Sequence, residues 1–329
     1  FGLLKKAMAA LRFATWVFVR AVRSDAELVW VASTPPIVMP LVLRLARIFR
    51  KFKIVYHCQD IHPEAMLING NLRKGIVFDI LRRLDCANLK AAEAVITLSE
   101  DMKQTLCDRG CADGNIHVIN NFVFDDDVAQ KDVSNPLQDF RGKRVFLFAG
   151  NIGRFQNLDF TLDVIKCISG RMDYFFILMG DGVKVSSLKE RVAEEAISNI
   201  HFIPHQSVAS ALAAMESADY GVVSITPGVD RVAYPSKTIM YLSRGLPVVA
   251  FLSPESELGL MLSRKQLGVA VDVENKSAAE VADDLIQSIH TYEELGVERK
   301  RLIEFCDSEF SQRVIVGRLV NLVKGVLNG

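Results

Sequence analysis

The sequence lacks a net charge, a long apolar run and paired cysteines, and each absence excludes a class of protein. Its 39 lysines and arginines equal its 39 aspartates and glutamates, so no overall charge favours binding to nucleic acid. No uninterrupted apolar run reaches the roughly 18 residues that a membrane-spanning helix needs. The six cysteines have no paired spacing, which is typical of free thiols in a cytosolic protein rather than of disulfides or zinc sites.

One local bias is strong, and it lies at the start of the chain. Residues 1–53 contain ten lysines and arginines but only two acidic residues, Asp25 and Glu27. Apolar residues are interleaved with these charges, which favours helices lying on an anionic membrane surface. The alternative is a pair of ordinary amphipathic helices whose polar faces happen to be basic, and the pattern fits both interpretations.

Strand and helix patterns alternate along the whole chain, which indicates an α/β protein with parallel sheets. In the first part, helices are predicted near 3–23, 37–50 and 76–91, and a further helix opens at Ser99, a residue suited to an N-cap. The strands predicted between them are Leu28–Ala32, Lys53–His57, Ala94–Leu98 and Ile116–Ile119, with a loop at 59–75.

The polar segment 120–141 reads as an interdomain linker. It includes a run of three aspartates, 125–127. Adjacent carboxylates suggest a metal site, but a run of like charges in a linker is usually solvated, and we predict no bound metal. The predicted domains are 1–121 (N-terminal, incomplete at its start), the linker 122–141, 142–308 (C-terminal) and a final helix at 309–329.

After the linker the alternation starts again, which predicts two Rossmann-like halves facing each other across a cleft. The predicted strands are Arg144–Ala149, Tyr174–Met179, Ile200–Ile203, Tyr220–Ser224 and Val248–Leu252. The predicted helices are 157–169, 184–196, 207–217, 236–244, 277–295 and 309–327, with a further helix–strand pair across 256–273.

The segment from Tyr234 to Thr238 carries the strongest chemical signal. Pro235 suits the first turn of a helix, and Ser236 and Thr238 add hydroxyls there. Lys237 adds a positive charge beside the free N–H groups of that turn. A helix N-terminus with a cation and hydroxyls is an anion site, so the segment predicts a phosphate-bearing ligand.

Four predicted strands end in loops that could share this site, because ligands of open α/β sheets bind where strand carboxyl ends meet glycine turns. Glycines let a ligand approach the backbone, and Arg154 or Gln156 could reach phosphate oxygens. Each loop alone could be a plain β–α turn. The four are Gly150-Asn151-Ile152-Gly153, Gly180-Asp181-Gly182, Pro204-His205-Gln206 and Thr226-Pro227-Gly228.

These loops, in this order, resemble family 4 glycosyltransferases, which are retaining enzymes of the GT-B fold. The resemblance covers about residues 25–325. Among family members, the sequence most resembles the subgroup that assembles bacterial O-antigen, capsule or exopolysaccharide. Counterparts there are the Pro235-Ser236-Lys237-Thr238 form, Gln59-Asp60-Ile61-His62-Pro63-Glu64, Val118-Ile119-Asn120-Asn121-Phe122 and Gly245-Leu246-Pro247-Val248-Val249.

The resemblance implies a role for each site residue. The donor diphosphate would be held by Gly153, Arg154, Ser236, Lys237 and Thr238, and the nucleotide base would lie near Ile203–His205. Asp60 and His62 would lie near the transferred sugar or the acceptor hydroxyl; the alternative for His62-Pro63-Glu64 is a loop that caps the next helix. The implied catalytic residues are Asp60, His62, Arg154 and Lys237, and the implied donor-binding residues are Gly150, Asn151, Gly153, Gly180, Gly182, His205, Pro235, Ser236 and Thr238.

Three departures from the family pattern accompany the resemblance. Two glutamates of typical members are replaced here by Val232 and Met240, and methionine cannot accept a ribose hydrogen bond as a carboxylate does. A lysine of the glycine-loop region is replaced around Gln156. The family's first strand and acceptor-side glycine loop have no counterpart here, which predicts an incomplete N-terminal domain. The final helix is expected to cross back to that domain.

The predicted function is transfer of a hexosyl or N-acetylhexosaminyl group to a lipid-linked glycan, with retention and without metal. The donor would be a nucleotide sugar, UDP being favoured over GDP. The predicted location is the cytoplasm, at the inner face of the plasma membrane, with no nucleic-acid partner. Two rivals remain: a nucleotide-sugar epimerase of the same architecture, and a non-catalytic subunit or membrane-binding scaffold.

Overall fold

A computed structural model describes residues 2–123 and 134–329. The chain divides into two compact units. The N unit comprises Phe1–Asn120, Arg231–Tyr234 and Ile315–Gly329. The C unit comprises Asn121–Asp230 and Pro235–Val314. Each unit contains one parallel sheet flanked by helices, so the predicted α/β class is confirmed.

The N unit has a four-stranded parallel sheet with the order β1-β2-β3-β4. All four residues of β3 are buried, as expected of a central strand in a parallel sheet. The strands are β1 (Leu28–Ala32), β2 (Lys53–His57), β3 (Ala94–Thr97) and β4 (Ile116–Val118), and the helices are α1 (Gly2–Arg23), α2 (Val38–Ala46), α3 (Glu64–Ile68), α4 (Ile76–Ala91) and α5 (Glu100–Asp108).

The C unit has a six-stranded parallel sheet with the order β10-β9-β8-β5-β6-β7. The strands are β5 (Arg144–Ala149), β6 (Tyr174–Met179), β7 (Ile200–Ile203), β8 (Tyr220–Ser224), β9 (Val248–Phe251) and β10 (Gly268–Val271). The helices are α6 (Leu158–Ile168), α7 (Val185–Glu194), α8 (Val208–Ser217), α9 (Lys237–Ser243), α10 (Glu257–Lys265), α11 (Ala278–Glu294) and α12 (Arg299–Phe310), and α13 (Gln312–Asn328) follows.

The core of the C unit includes stacked aromatic side chains of β5, β6 and β8. The ring of Phe146 stacks against those of Phe176 and Tyr220, with centroids 4.9 and 5.0 Å apart. Such stacked pairs add about 0.5–1.5 kcal/mol each beyond their buried area. Because these strands are fixed by the core, their carboxyl ends hold the glycine loops at one edge of the sheet.

Two helices were missing from the sequence prediction. The short helix α3 lies inside the predicted loop 59–75. Helix α12 lies between two predicted helices, and α13 begins at Gln312 rather than at 309. The reason for the second omission is a narrow apolar stripe, since only Leu302, Cys306 and Phe310 of α12 are buried. Helix α12 packs against α9, and so supports the helix that follows the phosphate motif.

Two segments from beyond residue 120 belong to the N unit. Residues 231–234 belong to the N unit, where the Ile61 N–H donates to the Val232 carbonyl at 2.7 Å. From Ile315 onward α13 also belongs to the N unit, and the Lys53 ammonium caps its end by donating to the Val326 carbonyl at 2.7 Å. The aspartate run 125–127 lies outside the described residues.

Candidate active site

Two glycine loops of the C unit are joined backbone to backbone. The loop after β5 and the loop after β6 share hydrogen bonds from Gly150 N–H to the Met179 carbonyl (2.9 Å) and from Ile152 N–H to the Asp181 carbonyl (2.8 Å). A Cβ at Gly180 would lie 1.9 Å from the Gly150 carbonyl oxygen. This close approach is open only to glycine, so the glycines predicted for ligand binding also hold the two loops together.

Lys237 extends beneath the first of these loops. Its ammonium nitrogen lies 3.4 Å from the centroid of the Phe148 ring, and a Cβ on Gly150 would be 3.8 Å from it. The nitrogen is buried and has no hydrogen-bond partner among the residues that the structure describes. Burial lowers the pKa of Lys237 to about 7, because the charged form loses hydration that the aromatic face replaces only in part.

The start of α9 differs from the predicted anion site. The helix begins at Lys237, so Pro235 precedes it rather than forming its first turn. The Thr238 N–H donates to the Pro235 carbonyl at 3.0 Å and the Ile239 N–H to the Ser236 carbonyl at 3.2 Å, so neither group is free. Ser236 is exposed, whereas Thr238 is fully buried and its hydroxyl has no partner within the described chain.

The remaining predicted donor residues lie on the neighbouring loops. Arg154 is exposed and begins a single turn of 3₁₀-helix, in which the Gly153 N–H donates to the Gln156 side chain at 3.1 Å. The turn is tied to the loop after β8, because the Thr226 N–H donates to the Phe155 carbonyl at 2.7 Å. Three of the four strand-end loops are therefore joined by direct bonds.

The loop after β7 and the outer face of the glycine loop are open to solvent. His205 and Asn151 are exposed. The strand before His205 is bound to the adjacent loop, since the Gly180 N–H donates to the Ile203 carbonyl at 2.9 Å. Position 182, like position 180, has room only for glycine, because a Cβ there would lie 2.3 Å from the Ile152 carbonyl oxygen.

Tyr241 is a structural residue of this site that the sequence prediction missed. Its hydroxyl accepts a hydrogen bond from the Ala149 N–H at 2.8 Å and donates to the Val222 carbonyl at 3.3 Å. These two backbone groups belong to β5 and β8, whose ladder includes only the pairs Phe146–Tyr220 and Leu147–Gly221. The hydroxyl thus satisfies groups that the short ladder leaves without partners and fixes the residue that precedes Gly150.

In the N unit, the predicted residues Asp60 and His62 lie on the loop after β2. The Ser33 hydroxyl anchors this loop by accepting from the N–H groups of Gln59 (3.1 Å) and Asp60 (3.3 Å). Burial raises the pKa of the Asp60 carboxyl above its usual value. The loop also pairs with residue 233, through a bridge between Asp60 and Ala233.

His62 is half-buried, and one of its ring nitrogens lacks a hydrogen bond within the described chain. Its Nδ1 atom is buried without a hydrogen-bond partner among the described residues. Burial, and then the charge of Arg109, lower the pKa of the imidazole, so the ring is neutral near neutral pH. The Arg109 guanidinium donates to the His62 carbonyl at 3.1 Å. A neutral imidazole can accept a proton or orient a hydroxyl.

The two positions at which typical family members have glutamate carry apolar side chains that are at least partly buried. Val232 is buried, and Met240 lies half-buried on α9. Neither offers an acceptor for a ribose hydroxyl. Within residues 2–123 and 134–329, no group of three His, Cys, Asp or Glu side chains is placed to hold a metal ion. Metal independence stays a prediction.

Comparison with protein families supports the resemblance. Residues 3–127 match the model of Glycosyltransferase Family 4. A curated relative, WbjE of Pseudomonas aeruginosa, named a probable glycosyltransferase, is 24% identical over 270 residues, which cover 80% of this chain and 66% of WbjE. WcaI of Escherichia coli (strain K12), named for colanic acid biosynthesis, is 25% identical over 284 residues, covering 83% of this chain and 68% of WcaI.

Comparison with solved structures supports the fold. The structure of HepE from Anabaena in complex with UDP matches with a TM-score of 0.73 and 14% identity, over 95% of this chain and 82% of that chain. The predicted GT-B class with two Rossmann-like domains is confirmed, as is the resemblance to family 4 glycosyltransferases. The chain spans about two thirds of the length of the two curated relatives.

Proposed function

We propose that this chain is a glycosyltransferase that moves a sugar from a nucleoside-diphosphate sugar to a glycan acceptor. The family match and the two curated relatives support this class of reaction. The observation that carries the proposal is the buried, unpartnered ammonium of Lys237 beneath the Gly150 loop. A buried cation without a counter-ion is costly, and an anionic ligand would supply the missing charge.

The chemistry follows from charge that develops during transfer. Breaking the bond between the anomeric carbon and the phosphate oxygen places negative charge on the departing diphosphate. Lys237 from below and Arg154 from the exposed turn would stabilise that charge, together with the exposed Ser236. Binding of the diphosphate would raise the pKa of Lys237 again, because a nearby anion favours the charged amine.

A retaining reaction would take place on one face of the sugar. The acceptor oxygen would attack from the side that the diphosphate leaves, and the leaving phosphate would take the acceptor's proton. No strong enzymatic base is then needed, and Asp60 or His62 would orient the acceptor hydroxyl. This division of tasks gives the C unit the donor and the N unit the acceptor.

We favour UDP over GDP as the nucleotide, with a hexose or N-acetylhexosamine as the sugar. Support comes from HepE, which has been solved with UDP and with UDP-glucose. The base would lie near His205, whose exposure leaves its ring free to contact a ligand. In this proposal the positive charges of the protein replace a metal ion.

The proposed acceptor is a lipid-linked glycan of cell-surface polysaccharide synthesis. The name of WcaI, which refers to colanic acid biosynthesis, supports this role. The proposal also includes a cytoplasmic location at the inner face of the plasma membrane, where such an acceptor would be reached.

Membrane contact would occur through the basic N-terminal helices. The described chain has no helix long and apolar enough to span a bilayer. Helix α1 exposes large apolar side chains, including Leu11 (69%) and Trp16 (59%), next to the exposed Arg12. Ile48 and Phe49, just after α2, are 74% and 69% exposed. Apolar and cationic side chains on one exposed surface suit an anionic bilayer.

The membrane contact can be tested by sedimentation with vesicles of phosphatidylglycerol and phosphatidylcholine. We expect the chain to sediment with them and the variant Trp16→Asp to remain in solution. Val208→Asp is the matched control, since Val208 is 59% exposed on the C unit. Equal binding of both variants would refute the assignment to α1.

The central test of the proposed function is a screen of nucleotides and nucleotide sugars by thermal shift and by release of nucleotide. UDP or UDP-glucose is expected to raise the melting temperature, and release of UDP is expected to accelerate with an acceptor. Sugar isomerisation without an acceptor would favour the epimerase rival. If no nucleotide changes the melting temperature or is released, the non-catalytic scaffold hypothesis is favoured instead.

A further inference from the structure

The N unit contains a buried cluster of charged side chains that the donor chemistry does not use. Its centre is Arg109, the C-cap of α5, whose side chain is 1% exposed. The guanidinium donates to the Asp85 carboxylate of α4 at 2.8 Å and to the Glu64 carboxylate of α3. Asp85 also accepts from the Tyr56 hydroxyl of β2 at 3.2 Å, and the cluster includes the bond from Arg109 to the His62 carbonyl.

Stabilisation of the fold does not account for such a cluster. Burial of an ion pair loses about as much hydration energy as the mutual attraction returns, and apolar residues of similar volume often serve equally well. An apolar side chain cannot, however, hold an irregular loop through hydrogen bonds. The planar guanidinium can bind several acceptors in a fixed geometry, and here it binds the residues on both sides of Pro63.

The His62 ring depends on this anchoring. Because its Nδ1 atom has no hydrogen-bond partner within the described chain, no bond to that atom fixes the direction of the imidazole. The backbone of the loop sets the direction of the Cα–Cβ bond, and with it the rotamers that the half-buried ring can adopt. Arg109 holds that backbone at the His62 carbonyl and at Glu64, whose second oxygen lies 3.4 Å from the Arg82 side-chain nitrogen.

We infer that Arg109 is a positioning residue of the acceptor loop, which orients the His62 imidazole by holding the His62 carbonyl and the Glu64 carboxylate. Asp85 fixes the guanidinium in turn. The inference rests on the proposed function, because the direction of the imidazole matters only where an acceptor hydroxyl is to be oriented.

The electrostatic effect of Arg109 on His62 has a definite sign. The charge of Arg109 lowers the pKa of the imidazole, after the larger effect of burial. Loss of that charge therefore raises the pKa. If neutral His62 is the active form, the acid limb of the pH–rate profile moves to higher pH. Arg109 on α5 is the charged group that acts on the imidazole. Its own ion-pair partners are Glu64 on α3 and Asp85 on α4, Glu64 also pairs with Arg82 of α4, and Asp60 lies two residues before His62 on the same loop.

The test compares Arg109→Gln and Arg109→Lys with the control Tyr56→Phe. The control removes a hydrogen bond to Asp85 but keeps every contact of Arg109 with the loop. Three quantities are measured: the pKa of His62 by NMR, with its signal assigned through His62→Asn; the rise in melting temperature caused by UDP; and the hydrolysis of UDP-glucose with water as acceptor.

In Arg109→Gln we expect a raised His62 pKa and a kcat about 10- to 100-fold lower, with KM for UDP-glucose unchanged. In Arg109→Lys the pKa stays near the wild-type value while kcat remains low, since lysine lacks the planar fork. The UDP-induced rise in melting temperature stays intact in both variants, and Tyr56→Phe resembles the wild type.

An unchanged His62 pKa and kcat in Arg109→Gln would overturn the inference, as would an equal loss of kcat in Tyr56→Phe. If Arg109→Gln does not fold, Arg109→Lys and Asp85→Asn carry the test through the same fall in kcat at constant KM. Absence of any UDP response in the wild type rejects the proposed function instead, and the NMR comparison then still decides whether Arg109 controls His62.

Discussion

Each unit buries one cation close to a loop at the end of a strand, and the two cations differ in their partners. Lys237 of the C unit has an aromatic face beneath it and no hydrogen-bond acceptor in the described chain. Arg109 of the N unit donates to two carboxylates and a carbonyl. Both cationic groups are buried, but within the described residues Lys237 has no hydrogen-bond partner, whereas Arg109 has two carboxylates and a carbonyl and leaves only its Nε without an acceptor.

The difference separates two uses of a buried cation. A cation whose acceptors all belong to the protein fixes structure, because it has little capacity left for a ligand. A cation without acceptors in the protein can still bind an anionic ligand. The lowered pKa of Lys237 reflects the energetic cost of burying its charge without a counter-ion in the described chain. We therefore assign ligand binding to Lys237 and positioning to Arg109.

The largest expected effect is on stability, and it has opposite directions at the two sites. Arg109→Met leaves the Asp85 carboxylate buried without a counter-ion, while Glu64 keeps Arg82, and loss of a buried ion-pair partner costs about 3–5 kcal/mol. Lys237→Met removes an unpartnered buried amine and is expected to leave the free energy of unfolding unchanged or higher. Urea unfolding of both variants measures this, and equal destabilisation would abolish the distinction.

The next effect concerns ligand binding. UDP at about 100 times its Kd should stabilise the wild type by about 2.7 kcal/mol. Lys237→Ala is expected to lose this gain, because the diphosphate then lacks its buried partner. Differential scanning fluorimetry with and without UDP measures it. Lys300→Ala, which alters an exposed lysine of α12, is the control and should retain the full shift.

A smaller effect is expected at Tyr241, which joins the two strands beneath the donor loop. Tyr241→Phe leaves the Ala149 N–H and the Val222 carbonyl without their partner, at a cost of about 1–3 kcal/mol. Because Ala149 precedes Gly150, affinity for UDP should fall as well. Calorimetric titration with UDP checks this, and an unchanged Kd would show that the hydroxyl serves the fold alone.

A further effect is a pH dependence of stability in the free protein. The folded-state pKa of Lys237 is about 7, against 10.5 for the free side chain, so the unfolded state binds more protons between these values. The free energy of unfolding should therefore rise with pH across that range. Urea titrations of wild type and Lys237→Met compare the slopes, and parallel slopes would contradict the assignment.

The sequence was sufficient for most of the sheet architecture, because buried strands such as Val145–Ala149 are apolar runs next to glycine turns. It also selected Lys237, whose role as a site residue stays a prediction. It was not sufficient for the direction of that side chain, which was expected beside the first turn of α9 and lies instead over Phe148.

The Arg109 cluster and Tyr241 could not be found from local patterns. Arg109 bonds to residues 24, 45 and 47 positions away, and the Tyr241 hydroxyl bonds to Ala149 at a separation of 92. Such contacts depend on how the elements pack, which composition and periodicity do not encode. The one available signal was an arginine at the end of a helix, and that is common at helix C-termini.

The central claim is that the Lys237 amine beneath the Gly150 loop binds the diphosphate and becomes protonated when it does so. Calorimetric titration of UDP at about pH 8, in buffers with different ionisation enthalpies, tests it directly, because a terminal phosphate with a pKa of about 6 is already deprotonated there and has no proton to release on binding. We predict net proton uptake on binding in the wild type and none in Lys237→Met. Binding heats that do not depend on the buffer would contradict the claim.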